Sequence, residues 1–153
     1  MLELTPEDIL TTRTFRRAVK TMPVKIRPFT EQDVRHIGPS FLDLEQRPQR
    51  VTLDRYLCIG VQGERWTCGK SSMESRKAIS ELDTEGFRLY VQRSPQAILV
   101  TLIDEPFHLT LPGRDHWTSQ AGAITWNGLV GDQMIMRVVE KDIFLSSYQF
   151  LAD

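Results

Sequence analysis

Val51-Thr52-Leu53-Asp54-Arg55-Tyr56-Leu57-Cys58-Ile59-Gly60-Val61 decides the fold. Val51, Leu53, Leu57, Ile59 and Val61 alternate with polar or small residues, and only Arg55 interrupts the period of two that marks a half-buried strand. Gln62-Gly63 offers a residue that tolerates positive φ, so a two-residue turn is predicted, with Glu64 to Cys68 returning antiparallel. In that register Ile59 faces Trp66 and Leu57 faces Cys68, while Cys58 points to the other face. Both cysteines are then free thiols, since a bridge needs Cα atoms within roughly 7 Å and converging Cβ vectors. Ser71-Ser72-Met73-Glu74 has the spacing of a capping box and predicts a helix to about Leu82, with Met73, Ala78 and Leu82 inward and Gly86 as its stop.

Before this stretch, Thr5-Pro6-Glu7-Asp8 is a helix start, with a capping hydroxyl, a first-turn proline and acids beside the N-terminal dipole. The helix is predicted to run to about Lys20. Phe15, Ala18, Val19 and Met22 lie on one side and Arg13, Arg16, Arg17 and Lys20 on the other, at helical spacing. Such a face is either solvated surface or a stripe for phosphate oxygens or an acidic partner. Residues 1–30 carry six cations against three acids, a local excess that the whole chain hides. Val24 and Ile26 between prolines predict a short edge strand, and Thr30-Glu31-Gln32-Asp33 a brief helix ended by Gly38-Pro39.

Beyond Gly86 the pattern is β. Phe87, Leu89 and Val91 alternate, Ala97 to Ile103 is the apolar run of a doubly covered central strand, and Phe107, Leu109 and Leu111 make another up to Pro112-Gly113. Asp115 to Ala121 is polar and predicted as loop, which exposes Trp117 beside Arg114 as a contact pair. Ala123 to Trp126, a turn at Asn127-Gly128 and Met134 to Val139 complete the sheet, and Asp142 caps a last turn with Phe144 and Tyr148 at i, i+4.

The chain is 153 residues long with a formal charge of -1, 41% apolar and 25% charged, which suits one soluble domain without a global bias toward nucleic acid or membrane. No apolar run nears the ~20 residues of a spanning helix. The acidic start, MLELTPEDIL, lacks the pattern of a signal peptide, so a cytoplasmic location is expected.

Three constellations bear on chemistry. Gly63 to Ser71 has the glycines, lysine and serine of a phosphate-binding P-loop with one residue too many, making Lys70 and Ser71 candidate phosphate ligands, with Asp104 as a metal-binding acid after an apolar strand. Against it, Arg65-Trp66-Thr67 fits a returning strand, and the chain lacks alternating βα units. His108 and His116, with Asp104, Glu105 and Asp115 nearby, form a candidate metal cluster, although the His108-x7-His116 spacing fits no compact zinc pattern. Cys68 has Lys70 nearby as a candidate activating cation, but no base is placed by sequence.

Asp54-Arg55-Tyr56-Leu57-Cys58 and Asp132-Gln133-Met134-Ile135-Met136 each lead from an aspartate into an apolar strand, which hints at two related halves. Gly131-Asp132 before a strand, followed by Phe144-x-x-x-Tyr148, resembles the small bacterial and phage proteins named for their PGDYG motif. The resemblance covers about a third of the chain. Val130 stands where the motif has proline, and Gln133-Met134 replace its tyrosine and glycine. It implies a small β-rich module and transfers no active site.

Together these readings predict a single α+β domain over 1–153, mostly antiparallel sheet with a hint of two related β-hairpin halves, an N-terminal helix and a central helix. The expected role is a non-enzymatic binding module without cofactor. Its partner is an acidic protein, with nucleic acid as the alternative, met by Arg13, Arg16, Arg17, Lys20, Arg114 and Trp117. The competing expectation is a nucleotide-dependent or metal-assisted hydrolase.

Overall fold

The computed structural model describes the backbone of residues 1–111, 116–130 and 133–152, with side chains at all of these except 127–130 and 133–135. In chain order the elements are β1 (Leu2–Leu4), α1 (Pro6–Thr12), β2 (Arg16–Lys20), β3 (Val24–Pro28), α2 (Glu31–Ile37), β4 (Ser40–Leu42), β5 (Pro48–Arg50), β6 (Tyr56–Ile59) and β7 (Arg65–Cys68). There follow α3 (Lys70–Glu74), β8 (Arg76–Ala78), β9 (Arg88–Gln92), β10 (Ile98–Ile103), β11 (Phe107–Thr110), β12 (His116–Ser119), β13 (Gly122–Val130), β14 (Gln133–Glu140), α4 (Lys141–Ser147) and β15 (Tyr148–Phe150). This is the α+β, mostly antiparallel class that the sequence predicts. The chain divides into two compact units, Met22–Pro95 and Met1–Thr21 with Gln96–Asp153.

The unit Met22–Pro95 is built on a five-stranded antiparallel sheet in the order β7-β6-β3-β9-β8. The predicted edge strand at Val24 is therefore the central one. Pro23 lies outside it and Pro28 at its last residue, so neither proline removes a ladder hydrogen bond from its interior. One face carries Leu57 and Ile59, which pack with Phe29, Val51, Phe87, Val34, Ile37 and Phe41. The other carries Val24, Ile26, Cys58 and Cys68, with Tyr56, Trp66, Met73 and Tyr90 packed against them. Helix α2 has the predicted start. Thr30 and Asp33 form a capping box, and the chain leaves through Gly38 at φ 93°, where a side chain would be strained. Asp33 also accepts two hydrogen bonds from the Arg27 guanidinium, one of 2.9 Å from Nη2.

The predicted central helix is shorter than its pattern. Helix α3 spans five residues with Gly69 as N-cap, the Ser71–Glu74 capping box does not form, and β8 follows at Arg76. Serine hydroxyls at and beyond its end favour local bonds over helix. The Ser75 hydroxyl, for one, donates to the Ser72 carbonyl at 2.7 Å as the chain turns away. Ala78 and Leu82 consequently stand exposed rather than inward, while Met73 does pack against the sheet.

The other unit is built on the sheet β14-β13-β10-β2-β15, with β10 central as its apolar run predicts. A second sheet, β1-β11-β12, helps to bury the core of Ile9, Ile103, Phe107, Leu109, Trp117, Ile124, Met136 and Val138. Ala18, Val100, Ala123 and Phe144 fill the opposite face. Helix α1 starts at the predicted Thr5 cap, which forms a capping box with Asp8, but stops at Thr12, not Lys20. Thr11 and Thr12 turn their hydroxyls back onto the carbonyls of Glu7 and Asp8 in competition with the ladder, and their β-branches disfavour helix. Arg16 to Lys20 then alternate as strand β2. Similarly, Asp115 to Ala121 is not all loop, because β12 occupies His116–Ser119. The Asn127-Gly128 turn is not a turn either. β13 runs on to Val130, and those two residues sit at a register shift between Trp126 and Leu129.

The two units share one connectivity. In each, a central strand (β3, β10) leads through a two-stranded hairpin (β4-β5, β11-β12) to an antiparallel neighbour (β6, β13), its outer partner (β7, β14), a helix (α3, α4) and the opposite edge strand (β8, β15). The last position is β9 in one unit and β2 in the other, so the second unit takes it from the start of the chain. Strand pairing makes Ile26 equivalent to Val100, Leu57 to Ile124 and Arg88 to Arg16. The halves suspected from Asp54 and Asp132 thus exist, but β6 matches β13 rather than the strand after Asp132.

Pairing with Arg27 holds the Asp33 carboxyl at about 2, below its ordinary 3.8, with the Thr30 backbone bond as a further cause. Asp33→Asn keeps an acceptor for Thr30 but loses the ionic pair, and should cost about 1–2 kcal/mol in urea unfolding at pH 7. A depressed carboxyl pKa stabilises the fold above 3.8 and loses that contribution as pH falls through about 2. The gap between wild type and variant should therefore narrow over that range.

Candidate functional site

The chain from Tyr56 to Cys68 builds the one cluster of chemically reactive side chains found among the described residues. β6 and β7 are joined by five residues, 60–64, and not by two. Gly60 donates its N–H to the Glu64 carbonyl at 2.9 Å, and Gly63 (φ 81°) donates to the Gly60 carbonyl at 3.1 Å. The longer turn shifts the pairing by one residue: Cys58 lies opposite Trp66, and Tyr56 opposite Cys68. A one-residue slip exchanges faces, so Cys58 and Cys68 share a face, contrary to the register expected from sequence. Both are free thiols, as expected, with their sulfurs 3.5 Å apart and Cys58 donating to Cys68.

The surroundings of Cys68 are cationic. The hydrogen bond from Cys58 holds its thiol below the ordinary range; burial opposes this, and Arg76, a hydrogen bond from Ser72 and Arg55 add to the lowering. Arg55 is fixed by donating from Nη2 to the Thr67 hydroxyl at 2.9 Å, and Thr67 in turn donates its N–H and hydroxyl to Gln49. The Arg76 Nε is buried without a hydrogen-bond partner among the described residues. Sequence offered Lys70 as the activating cation and missed these arginines, which approach through β8 and the loop before β6.

The other candidates disperse. Gly63 to Ser71 is a hairpin strand running into the five-residue α3, so no loop encircles a phosphate at Lys70 and Ser71. Asp104 is ion-paired with Lys141. His108 and His116 do share one face of β11-β12, but each is held by a threonine across the ladder: His108 Nδ1 by Thr118 Oγ1 at 2.7 Å, His116 Nδ1 by Thr110 Oγ1 at 3.4 Å. Among the described residues no three His, Cys, Asp or Glu side chains gather as a metal site. Arg114 and Asp115 lie outside the described residues, as does Gly131-Asp132. Trp117 is 6% exposed and belongs to the core, because it stands on a strand and not in a loop.

The basic stripe is rearranged rather than lost. On β2, Arg16 and Lys20 flank Ala18 on one face, and Arg17 lies on the other; Arg13 caps α1. The Arg16 guanidinium sits 4.1 Å from the Phe150 ring centre and the Lys20 ammonium 5.9 Å from that of Tyr148. Phe144 stacks on Tyr148 at 4.6 Å, joining the two. The alternation Arg16-Ala18-Lys20 and Tyr148-Gln149-Phe150 carried this signal, masked by a helical spacing that fits the same four cations.

The chain matches no family model, no curated protein and no solved structure. Among the described residues no helix is long and apolar enough to cross a membrane.

Cys68 should be alkylated by iodoacetamide with half-maximal rate at a pH below about 8.5, the ordinary thiol value. Arg76→Gln removes a cation that favours the thiolate and should move that midpoint up. An unchanged profile would show that Arg76 does not act on the sulfur.

Proposed function

We propose that the chain is a non-enzymatic interaction module that docks an acidic protein surface through the strip formed by Arg16, Lys20, Tyr148 and Phe150. The observation that carries this reading is the placement of two cations over two aromatic rings on adjacent strands, with Arg16 exposed. Among the described residues no carboxylate is within ion-pair range of Arg16 or Arg17. Guanidinium over an aromatic face is held flat, which leaves its outer edge free to donate to a partner carboxylate in a bidentate manner. The rings supply apolar area at low entropic cost, the composition that contact hot spots favour. A net charge of -1 argues against a nucleic-acid binder whose affinity rests on phosphate neutralisation. Two free thiols and the resemblance in the C-terminal third support a cytoplasmic setting of bacterial or phage type.

Arg16→Glu with Lys20→Glu should leave a cooperative melt, since exposed cation–aromatic pairs contribute about 0.5–1 kcal/mol each. The same variant should lose binding to a synthetic Glu/Leu peptide, measured by fluorescence anisotropy in moderate salt. Binding of duplex DNA instead, with a log–log salt slope near roughly -1.8 for two phosphates, would replace the protein partner with nucleic acid.

A further inference from the structure

We propose that Cys58 and Cys68 are a redox-active dithiol that a small hydroperoxide converts reversibly to a disulfide. This stands apart from the docking strip, since every group it uses lies within Met22–Pro95. The two sulfurs already touch at 3.5 Å on a shared face of β6 and β7. Their exposures assign the roles: Cys68 retains 8% of its surface and Cys58 none. Cys68 therefore meets the oxidant, and Cys58 resolves it.

The surroundings suit that order. Arg76 and Arg55 favour a negative sulfur at Cys68, and the Cys58 S–H points at it as donor. Part of the cover over the pair is a short helix: α3 has five residues and no side-chain N-cap bond, and it lays Met73 on the cluster beside Tyr56, Trp66 and Tyr90. A helix that short is marginal without tertiary contacts, so a molecule the size of hydrogen peroxide needs only a local opening to reach the sulfur.

The chemistry balances in two steps. The Cys68 thiolate attacks the terminal oxygen of the hydroperoxide; an S–O bond forms, the O–O bond breaks, and the departing alkoxide or hydroxide takes up the proton that Cys68 had released. This leaves a sulfenic acid on Cys68. The Cys58 sulfur then attacks the Cys68 sulfur; the S–S bond forms, the S–O bond breaks, and hydroxide leaves with the Cys58 proton as water. The dithiol gives up two electrons and the peroxide accepts them. The sulfurs close from 3.5 Å to a bond of about 2.05 Å, and exchange with an external dithiol returns the disulfide to two thiols.

The test is intact-mass spectrometry of the native full chain, titrated with hydrogen peroxide at pH 7 and then with dithiothreitol. The expected result is loss of two hydrogen masses per chain, disappearance of both alkylatable thiols in step, and full recovery with dithiothreitol. Cys58→Ser should instead gain one oxygen trapped by dimedone, and Cys68→Ser should keep its thiol at the same dose. The proposal is overturned if the native chain keeps both thiols at a dose that oxidises the urea-unfolded chain. It is equally overturned if each thiol gains oxygen independently or if the chains cross-link between molecules. Should either serine variant fail to fold, the wild-type mass and thiol count still decide.

Discussion

The hydrogen bond from Gly60 N–H to the Glu64 carbonyl closes the turn on which the reactive part of the molecule depends. With five residues in the loop, and Gly63 at a φ of 81° that a side chain would strain, β6 meets β7 in one register only. That register puts Leu57 beneath Phe29, Val51 and Phe87, and Cys58 beside Cys68 on the opposite face. A two-residue turn would exchange the two faces of one strand relative to the other. The core of Met22–Pro95 and the contact between the thiols are consequences of the same backbone bond.

Both units repeat one strand order, yet they use it differently. At the positions equivalent to Cys58 and Cys68, the other unit has Thr125 and Val139, so the thiol pair is a property of Met22–Pro95 alone. At the position of Arg88, whose buried Nε has no hydrogen-bond partner among the described residues, the other unit has Arg16, which leans on Phe150. In each unit a short helix after the outer partner strand (β7, β14) lies over this face, α3 bringing Met73 and α4 bringing Phe144. The buried Phe144 ring packs on Tyr148 and Phe150 beneath the cation strip, whereas Met73 of the five-residue α3 packs on the thiol cluster.

The sequence made legible what depends on local chemistry. The helix starts at Thr5 and Thr30, the central strand at Ile98–Ile103 and the i, i+4 pair of Phe144 and Tyr148, whose rings stack, were all visible as spacing. Features decided by competition were not. Arg13, Arg16, Arg17 and Lys20 satisfy a helical period, but Arg16, Ala18 and Lys20 equally satisfy a period of two, and sheet pairing with β10 and β15 selects the latter. Ser71 to Glu74 fits a capping box, while the helix in fact starts from Gly69 and ends after one turn at Ser75, whose hydroxyl bonds the Ser72 carbonyl. Trp117 sits among polar neighbours, and only its pairing opposite Leu109 reveals that it is core. The arginines around Cys68 are distant in sequence, so no local pattern announces them.

The β6-β7 register carries both the core of Met22–Pro95 and the thiol pair, and cross-strand backbone NOEs in isotope-labelled protein measure it directly. Contacts linking Cys58 with Trp66 and Tyr56 with Cys68 are the predicted result. Contacts linking Ile59 with Trp66 and Leu57 with Cys68 would restore the two-residue turn, separate the thiols onto opposite faces and contradict the shared-face pairing of the cysteines.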